Sequence, residues 1–159
     1  MYPRGHAGIA MVATVPFTAY FTGVPEFTVL VIIAMWASLT PDIDVPICRR
    51  FQTIHHRGLT HTIWFVILCA LLTTVTHMIL NRWLFFSPQV SVIGVIIGVS
   101  SHVVADGFNR DGVKPFEIFG SFSYHLQLNC IKSDSYFVNN FLITVGTILV
   151  FGVLSVKIY

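Results

Sequence analysis

The sequence predicts an all-α fold: a multi-pass membrane bundle of about five apolar helices, with residues 1–159 forming a single integral-membrane domain. Of its 159 residues, 55% are hydrophobic and only 10% are charged, and the mean hydropathy is +0.77. Ordinary soluble domains carry about 25% charged residues, so this composition favours a membrane protein. The small net charge of +2 does not indicate a protein that binds nucleic acid.

Five apolar segments predict the helices, and they cover residues 7–21, 27–39, 62–80, 90–105 and 137–156. Only the third and the fifth reach the about 20 residues that a full span needs. The shorter segments leave tilt, burial behind neighbours and partial insertion open. Pro16 predicts a kink in the first segment. In the fourth, Gly94, Gly98 and Ser101 recur at the spacing of helical turns, which favours close helix packing.

The basic residues predict how the bundle is oriented. If all five segments cross, the N-terminus, the 40–61 connection and the 107–136 connection share one side. Seven of the nine basic residues lie on that side, and only Arg82 and Lys157 lie on the other. The positive-inside rule therefore predicts a cell (inner or cytoplasmic) membrane protein whose first side faces the cytoplasm. We expect the first segment to be retained, because Pro16 interrupts it and no clear signal-peptide cleavage site follows.

The polar stretch from Thr40 to Thr62, TPDIDVPICRRFQTIHHRGLTHT, concentrates ionisable residues that are scarce elsewhere. Asp42 and Asp44 are two residues apart, so an extended backbone would direct both carboxylates to one face. Carboxylates this close repel each other unless a cation or a proton lies between them. For this pair alone, a solvated turn bounded by Pro41 and Pro46 is the simpler interpretation.

Histidines on the same side complete a candidate metal site. His56 and His61 bracket the residues RGLT, and His61 stands at the start of the third apolar segment. His102 and Asp106 are four residues apart, so they share one face of a helix. Alone, such a pair is as readily a buried hydrogen bond, but ionisable residues near the end of a membrane helix are costly to bury and indicate function. His6 alone is more typical of an interface residue than of a ligand.

The candidate ligands are the imidazoles and carboxylates on this side: His6, Asp42, Asp44, His56, His61, His102 and Asp106. These donors suit a divalent metal, with zinc or manganese the first choices. Seven candidates exceed one four-coordinate site, so one ion or two ions can be held. Asp44 and His61 are the predicted catalytic residues. The predicted substrate-binding residues are Arg57, Arg110 and Lys132. His77 is excluded, because it lies about 24 Å further along the third helix than His61.

Four motifs, in this order, resemble the YdjM-like family of predicted inner-membrane metal-dependent hydrolases. They are Gly5–His6, PDIDVP (Pro41–Pro46), HRGLTH (His56–His61) and SHVVAD (Ser101–Asp106), the last followed by Gly107 or Gly112. The resemblance covers roughly the first 112 residues, and Asn109 stands where a Thr is frequent in the family. It implies a helical membrane protein with a metal centre and hydrolase activity. A likeness suggested between this family and zinc-dependent phospholipase C points to a phosphoester or a lipid head group as substrate.

Two other functional classes stay open at this point. A small transporter would place ionisable residues near the bilayer midplane, often in two related halves, whereas here they gather at one face and no repeat is visible. A non-catalytic scaffold with a structural metal would need the same ligands as an enzyme. Membrane lipids are expected partners in every case, and the sequence does not indicate an oligomeric state.

Overall fold

The computed structural model describes residues 1–50, 58–80, 83–109, 112–117, 124–128, 130, 132 and 134–158, without the side chains of residues 47–49. Within these residues the regular structure is helical, with one isolated bridge between Val113 and Leu126. The helices are α1 (Pro3–Thr14), α2 (Val24–Ala37), α3 (Asp44–Arg50), α4 (Ile63–Leu80), α5 (Pro88–Gly107) and α6 (Tyr136–Ile158). Short 3₁₀ helices cover Val15–Ala19, Pro41–Ile43 and Leu59–His61. The predicted all-α class is confirmed.

Within the described part of the chain, four stretches are long and apolar enough to cross a membrane: Val24–Pro46, Ile63–Leu80, Pro88–Gly107 and Tyr136–Ile158. A multi-pass bundle is therefore confirmed. The fourth predicted segment, 90–105, is shorter than the corresponding helix. This helix, α5, has 20 residues, because it continues through a polar last turn. Ser87 caps the N-terminus of α5, because its hydroxyl accepts a hydrogen bond from the backbone N–H of Val90.

The first apolar segment also begins earlier than its hydropathy indicates. Pro3 occupies the first turn of α1, where its missing N–H costs nothing. The α-helix ends at Thr14, and the chain continues as a 3₁₀ helix through Pro16 to Ala19. The kink predicted at Pro16 is therefore a change of helix type.

The central helix of the bundle is α5. Of the 18 residues in its most apolar stretch, 67% are buried, whereas in α4 and in α6 the buried share is 11%. These two helices present apolar side chains outward, as helices in lipid do. The glycine stripe of α5, Gly94 and Gly98, permits close contact with α2, since Gly98 packs against the carbonyl oxygen of Ala34 and the Cβ of Ala37. The predicted packing role of this stripe is confirmed. This approach brings His102, one turn after Gly98, beneath the end of α2.

The helices alternate in direction, as the five-segment interpretation requires. At one end, the backbone N–H of Tyr2 donates to Asn139 Oδ1 in the first turn of α6 (3.0 Å). At the other end, Lys157 Nζ donates to the backbone oxygens of Thr18 (3.0 Å) and Phe21 (2.8 Å). The end that contains the starts of α1, α4 and α6 therefore also contains the ends of α2 and α5. All the described candidate ligands lie at this end.

Candidate metal centre

His102 and Asp106 extend from one face of α5, as their spacing predicts. Both side chains are buried, and His102 Nε2 lies 3.8 Å from Asp106 Oδ2. His102 Nδ1 lies 2.6 Å from the backbone oxygen of Ser38, the residue that caps α2. A carbonyl oxygen only accepts hydrogen bonds, so Nδ1 carries the proton. The lone pair of Nε2 is therefore free to face the centre.

His61 is held in the same way from the 3₁₀ turn before α4. Its side chain is fully buried, and its Nδ1 lies 3.0 Å from the hydroxyl of Thr60. That hydroxyl donates its single proton to Asp44 Oδ2 at 2.9 Å. The hydroxyl oxygen must then accept from Nδ1–H of His61. His61 Nε2 is therefore a second unprotonated acceptor.

These two imidazoles converge with two carboxylates. His61 Nε2 and His102 Nε2 are 3.1 Å apart. Asp42 Oδ1 lies 3.9 Å from the first nitrogen and 3.6 Å from the second, and Asp106 Oδ2 lies 3.6 Å and 3.8 Å from them. Ligand atoms bound tetrahedrally at about 2.0–2.2 Å are about 3.4 Å apart, which lies within this range. Acceptors this close repel one another unless a cation or a proton lies between them, so this cluster could hold a metal ion.

His6 extends from α1 to the same cluster. Its ring stacks on the ring of His102, with centroids 3.7 Å apart and planes 12° from parallel. Its Nε2 lies 3.6 Å from Asp106 Oδ1. The side chain is fully buried, yet neither ring nitrogen has a hydrogen-bond partner among the described residues. Burial without a partner is costly, and it is typical of an imidazole that binds an ion.

Two triads can therefore hold metal ions: His6 with His102 and Asp106, and Asp42 with His61 and His102. Ligand atoms within each triad lie within 4.8 Å of one another. The side chain of Asp42 is 27% exposed, whereas the two histidines of its triad are fully buried. Within this triad, Asp42 is thus the side chain that is most accessible to solvent.

The PDID motif does not have the extended backbone that would direct both carboxylates to one face. Pro41–Ile43 is a 3₁₀ helix and Asp44 begins α3, because prolines fit the first turns of helices. The two carboxylates consequently approach different sides of His61. Asp42 faces Nε2, whereas Asp44 Oδ2 lies 3.7 Å from Nδ1.

The structure brings five predicted ligands together: His6, Asp42, His61, His102 and Asp106. Asp44 lies beside them, bonded through Thr60, and its own role as a metal ligand stays a prediction. Lys132 is exposed and precedes α6 at the same end of the bundle. Three predicted residues lie outside the described part of the chain: His56, Arg57 and Arg110. His77 is at the far end, where Nε2 lies 2.6 Å from the hydroxyl of Ser91.

Three supporting residues were missed by reasoning from the sequence: Ser38, Thr60 and Asn109. Asn109 is fully buried, and its Nδ2 donates to Asp106 Oδ1 at 2.7 Å; the α-amino nitrogen of Met1 lies 3.3 Å from the same oxygen. Such outer partners orient metal ligands. Asn109 could have been found from the sequence, because a residue three positions after Asp106 lies next to it on a helix. Ser38 offered none, because it acts through its backbone oxygen.

We expect Thr60→Val to weaken metal binding about 10- to 100-fold, the usual effect of losing an outer partner of a ligand. The substitution keeps the side-chain shape but removes the hydroxyl that joins His61 to Asp44. Calorimetric titration of the metal-free protein measures the affinity. Thr76→Val is the matched control, because the Thr76 hydroxyl bonds only the backbone of its own helix. Equal affinities for the two variants would contradict the assigned role of Thr60.

The family model described as YdjM inner membrane protein matches residues 1–158. The chain belongs to this family. The match extends past the first 112 residues that carry the motifs, so the connection before α6 and α6 itself also belong to the family domain. No curated protein and no solved structure matches the chain. An inner membrane family agrees with the four candidate spans.

Proposed function

We propose that this YdjM family member is a metal-dependent hydrolase that cleaves a phosphoester, in a lipid head group or a smaller molecule, at the cytoplasmic face of the membrane. One observation carries the proposal. The Nε2 atoms of His61 and His102 approach to 3.1 Å beside two carboxylates, and each Nδ1 is bonded elsewhere. A cation resolves this arrangement of acceptors.

The proposed ion is zinc or manganese, held by Asp42, His61, His102 and Asp106. A divalent ion there would polarise a phosphoryl oxygen and lower the pKa of a water molecule. The exposure of the four side chains indicates from which side a substrate would approach the ion. Asp42 is the most exposed of these four side chains, at 27% against 2% or less for the other three. We infer that the substrate reaches the centre on the side of Asp42.

Asp44 and His61 remain the proposed catalytic pair. The hydroxyl of Thr60 links them, because it lies 3.0 Å from His61 Nδ1 and donates to Asp44 Oδ2. Through this link the carboxylate would orient the imidazole and strengthen it as a ligand of the ion. The basic residues Arg57, Arg110 and Lys132 are proposed to hold the anionic substrate group. The cytoplasmic orientation follows from the distribution of basic residues.

The position of the centre favours an enzyme over a transporter or a scaffold. His6 is in the first turn and a half of α1, and Asp106 is in the last turn of α5, so the ionisable residues lie at one end of the bundle and not at its middle. A transport pathway typically places them near the midplane. A structural metal is typically enclosed by protein ligands, whereas a catalytic site keeps an open position. The partial exposure of Asp42 supports the catalytic alternative.

We expect purified protein in phospholipid nanodiscs to hydrolyse a phosphomonoester, a phosphodiester or the phospholipid itself. Chelation should remove the activity, and zinc or manganese should restore it. Asp42→Asn should lower kcat by about 100-fold or more, the scale for losing one electrostatic contact to a reacting group. The control is Asp134→Asn, which changes an exposed carboxylate outside the cluster. Stoichiometric metal without hydrolysis of any of the three substrates would favour the scaffold instead.

A further inference from the structure

The stacking of His6 on His102 determines which atoms can share an ion. The lone pair of an imidazole nitrogen lies in the plane of its ring. The two ring planes are 12° from parallel and the centroids are 3.7 Å apart. An ion in the plane of His102 would therefore lie out of the plane of the His6 ring and away from its nitrogen lone pairs. Although the two residues are close enough to share an ion, the stack favours separate ions for the two rings.

Asp106 divides its two carboxylate oxygens between these histidines. Oδ2 faces His61 and His102, at 3.6 Å and 3.8 Å from their Nε2 atoms. Oδ1 instead lies 3.6 Å from His6 Nε2. His6 is fully buried and both of its nitrogens are without hydrogen-bond partners in the described structure. The side of Asp106 that faces away from the first ion therefore has its own unpartnered nitrogen ligand.

Asn109 adds a second unpartnered atom next to Asp106, whose Oδ1 also lies 3.3 Å from the α-amino nitrogen of Met1, a contact that a second ion would replace. Its Nδ2 is bonded to Asp106 Oδ1 at 2.7 Å, which holds the amide next to the carboxylate. Its Oδ1 is buried and has no hydrogen-bond partner among the described residues. Amide and carboxylate oxygens together with imidazole are donors that suit manganese and zinc.

We propose that His6, Asp106 Oδ1 and Asn109 Oδ1 form a second cation subsite, and that Asp106 bridges it to the first. This inference rests on the proposed metal centre and adds to it a second ion and a new ligand, Asn109. Paired ions in hydrolytic sites are about 3.5–4 Å apart and clamp the attacking and leaving oxygens of a phosphoester. The second subsite would therefore extend the same phosphoester chemistry.

Titration of metal-free protein with Mn²⁺ tests the subsite directly. The wild-type protein should bind two ions per chain by mass spectrometry, and their electron paramagnetic resonance spectrum should show spin coupling through the shared carboxylate. His6→Phe keeps a ring that can stack on His102 but removes both nitrogens, so it should bind one uncoupled ion. Asn109→Leu should also lose the second ion or weaken it by at least tenfold. His77→Phe is the control and should keep both, because His77 lies at the far end of the bundle.

The outcomes separate this inference from the proposed function. One ion per wild-type chain, with hydrolysis intact, overturns the second subsite and leaves the hydrolase standing. Two ions retained in His6→Phe also overturn it. If His6→Phe does not fold, the wild-type spectrum decides: coupled ions support the bridge, and uncoupled ions reject it. Absence of any bound metal overturns both proposals.

Discussion

The double variant His102→Ala, Asp106→Ala is expected to purify without stoichiometric metal, whereas the wild-type protein retains it after dialysis. His102 belongs to both triads, and Asp106 approaches both His6 and His61. Even outer partners of ligands change metal affinity about 10- to 100-fold, so the loss of two inner ligands should exceed 100-fold. Elemental analysis of the metal content per chain provides the measurement.

Thermal unfolding adds a second readout to this experiment. An ion that binds only the folded protein stabilises it by about 2.7 kcal/mol when its concentration is 100 times Kd. The melting temperature of the wild-type protein should therefore rise with added metal, and that of the double variant should not. His77→Ala is the matched control: it removes a buried histidine and its contact with Ser91, which should lower stability while leaving the metal response intact. Metal retained at wild-type stoichiometry in the double variant would contradict the proposed centre.

Gly98→Leu is expected to have the largest effect on the fold. A Cβ at Gly98 would meet the backbone oxygen of Ala34 and, at 2.7 Å, the Cβ of Ala37. Neither contact can be relieved by rotating a flexible side chain, so α5 must move away from α2. Overpacking of this kind costs about 1–3 kcal/mol and occasionally more. The displacement should also break the 2.6 Å contact between His102 Nδ1 and Ser38, and metal affinity should fall with stability.

Gly152→Leu on α6 is the control for this substitution. A Cβ at Gly152 meets nothing within 4 Å, and replacing a helical glycine improves helix propensity by up to about 1 kcal/mol. Melting curves in detergent and Mn²⁺ titrations of both variants provide the comparison. A Gly98→Leu variant that melts with the wild-type protein and binds metal normally would contradict the close α2–α5 contact.

Helix positions were more predictable than helix ends. The apolar segments located α4 and α6 well, because their residues are apolar on nearly every side. The start of α1 and the end of α5 were placed too far inward, since a hydropathy pattern stops at Arg4 and His6 or at Asp106, whereas backbone hydrogen bonds continue through such residues. For the PDID motif the sequence left an extended backbone and a solvated turn open. Pro41 and Pro46 are typical of turns, but here they lie in the first turns of helices.

The sequence by itself determined the class of the protein and indicated which ionisable side chains could form a metal centre. Scarce charge and long apolar segments require lipid-facing helices, and a spacing of four residues places His102 and Asp106 on one face of any helix. Only the tertiary structure decided how these groups act together. The carbonyl of Ser38 orients His102 across 64 residues of chain, and the ring of His6 stacks on the ring of His102. Such contacts are set by the packing of α1, α2 and α5, and backbone atoms and ring orientations carry no sequence motif.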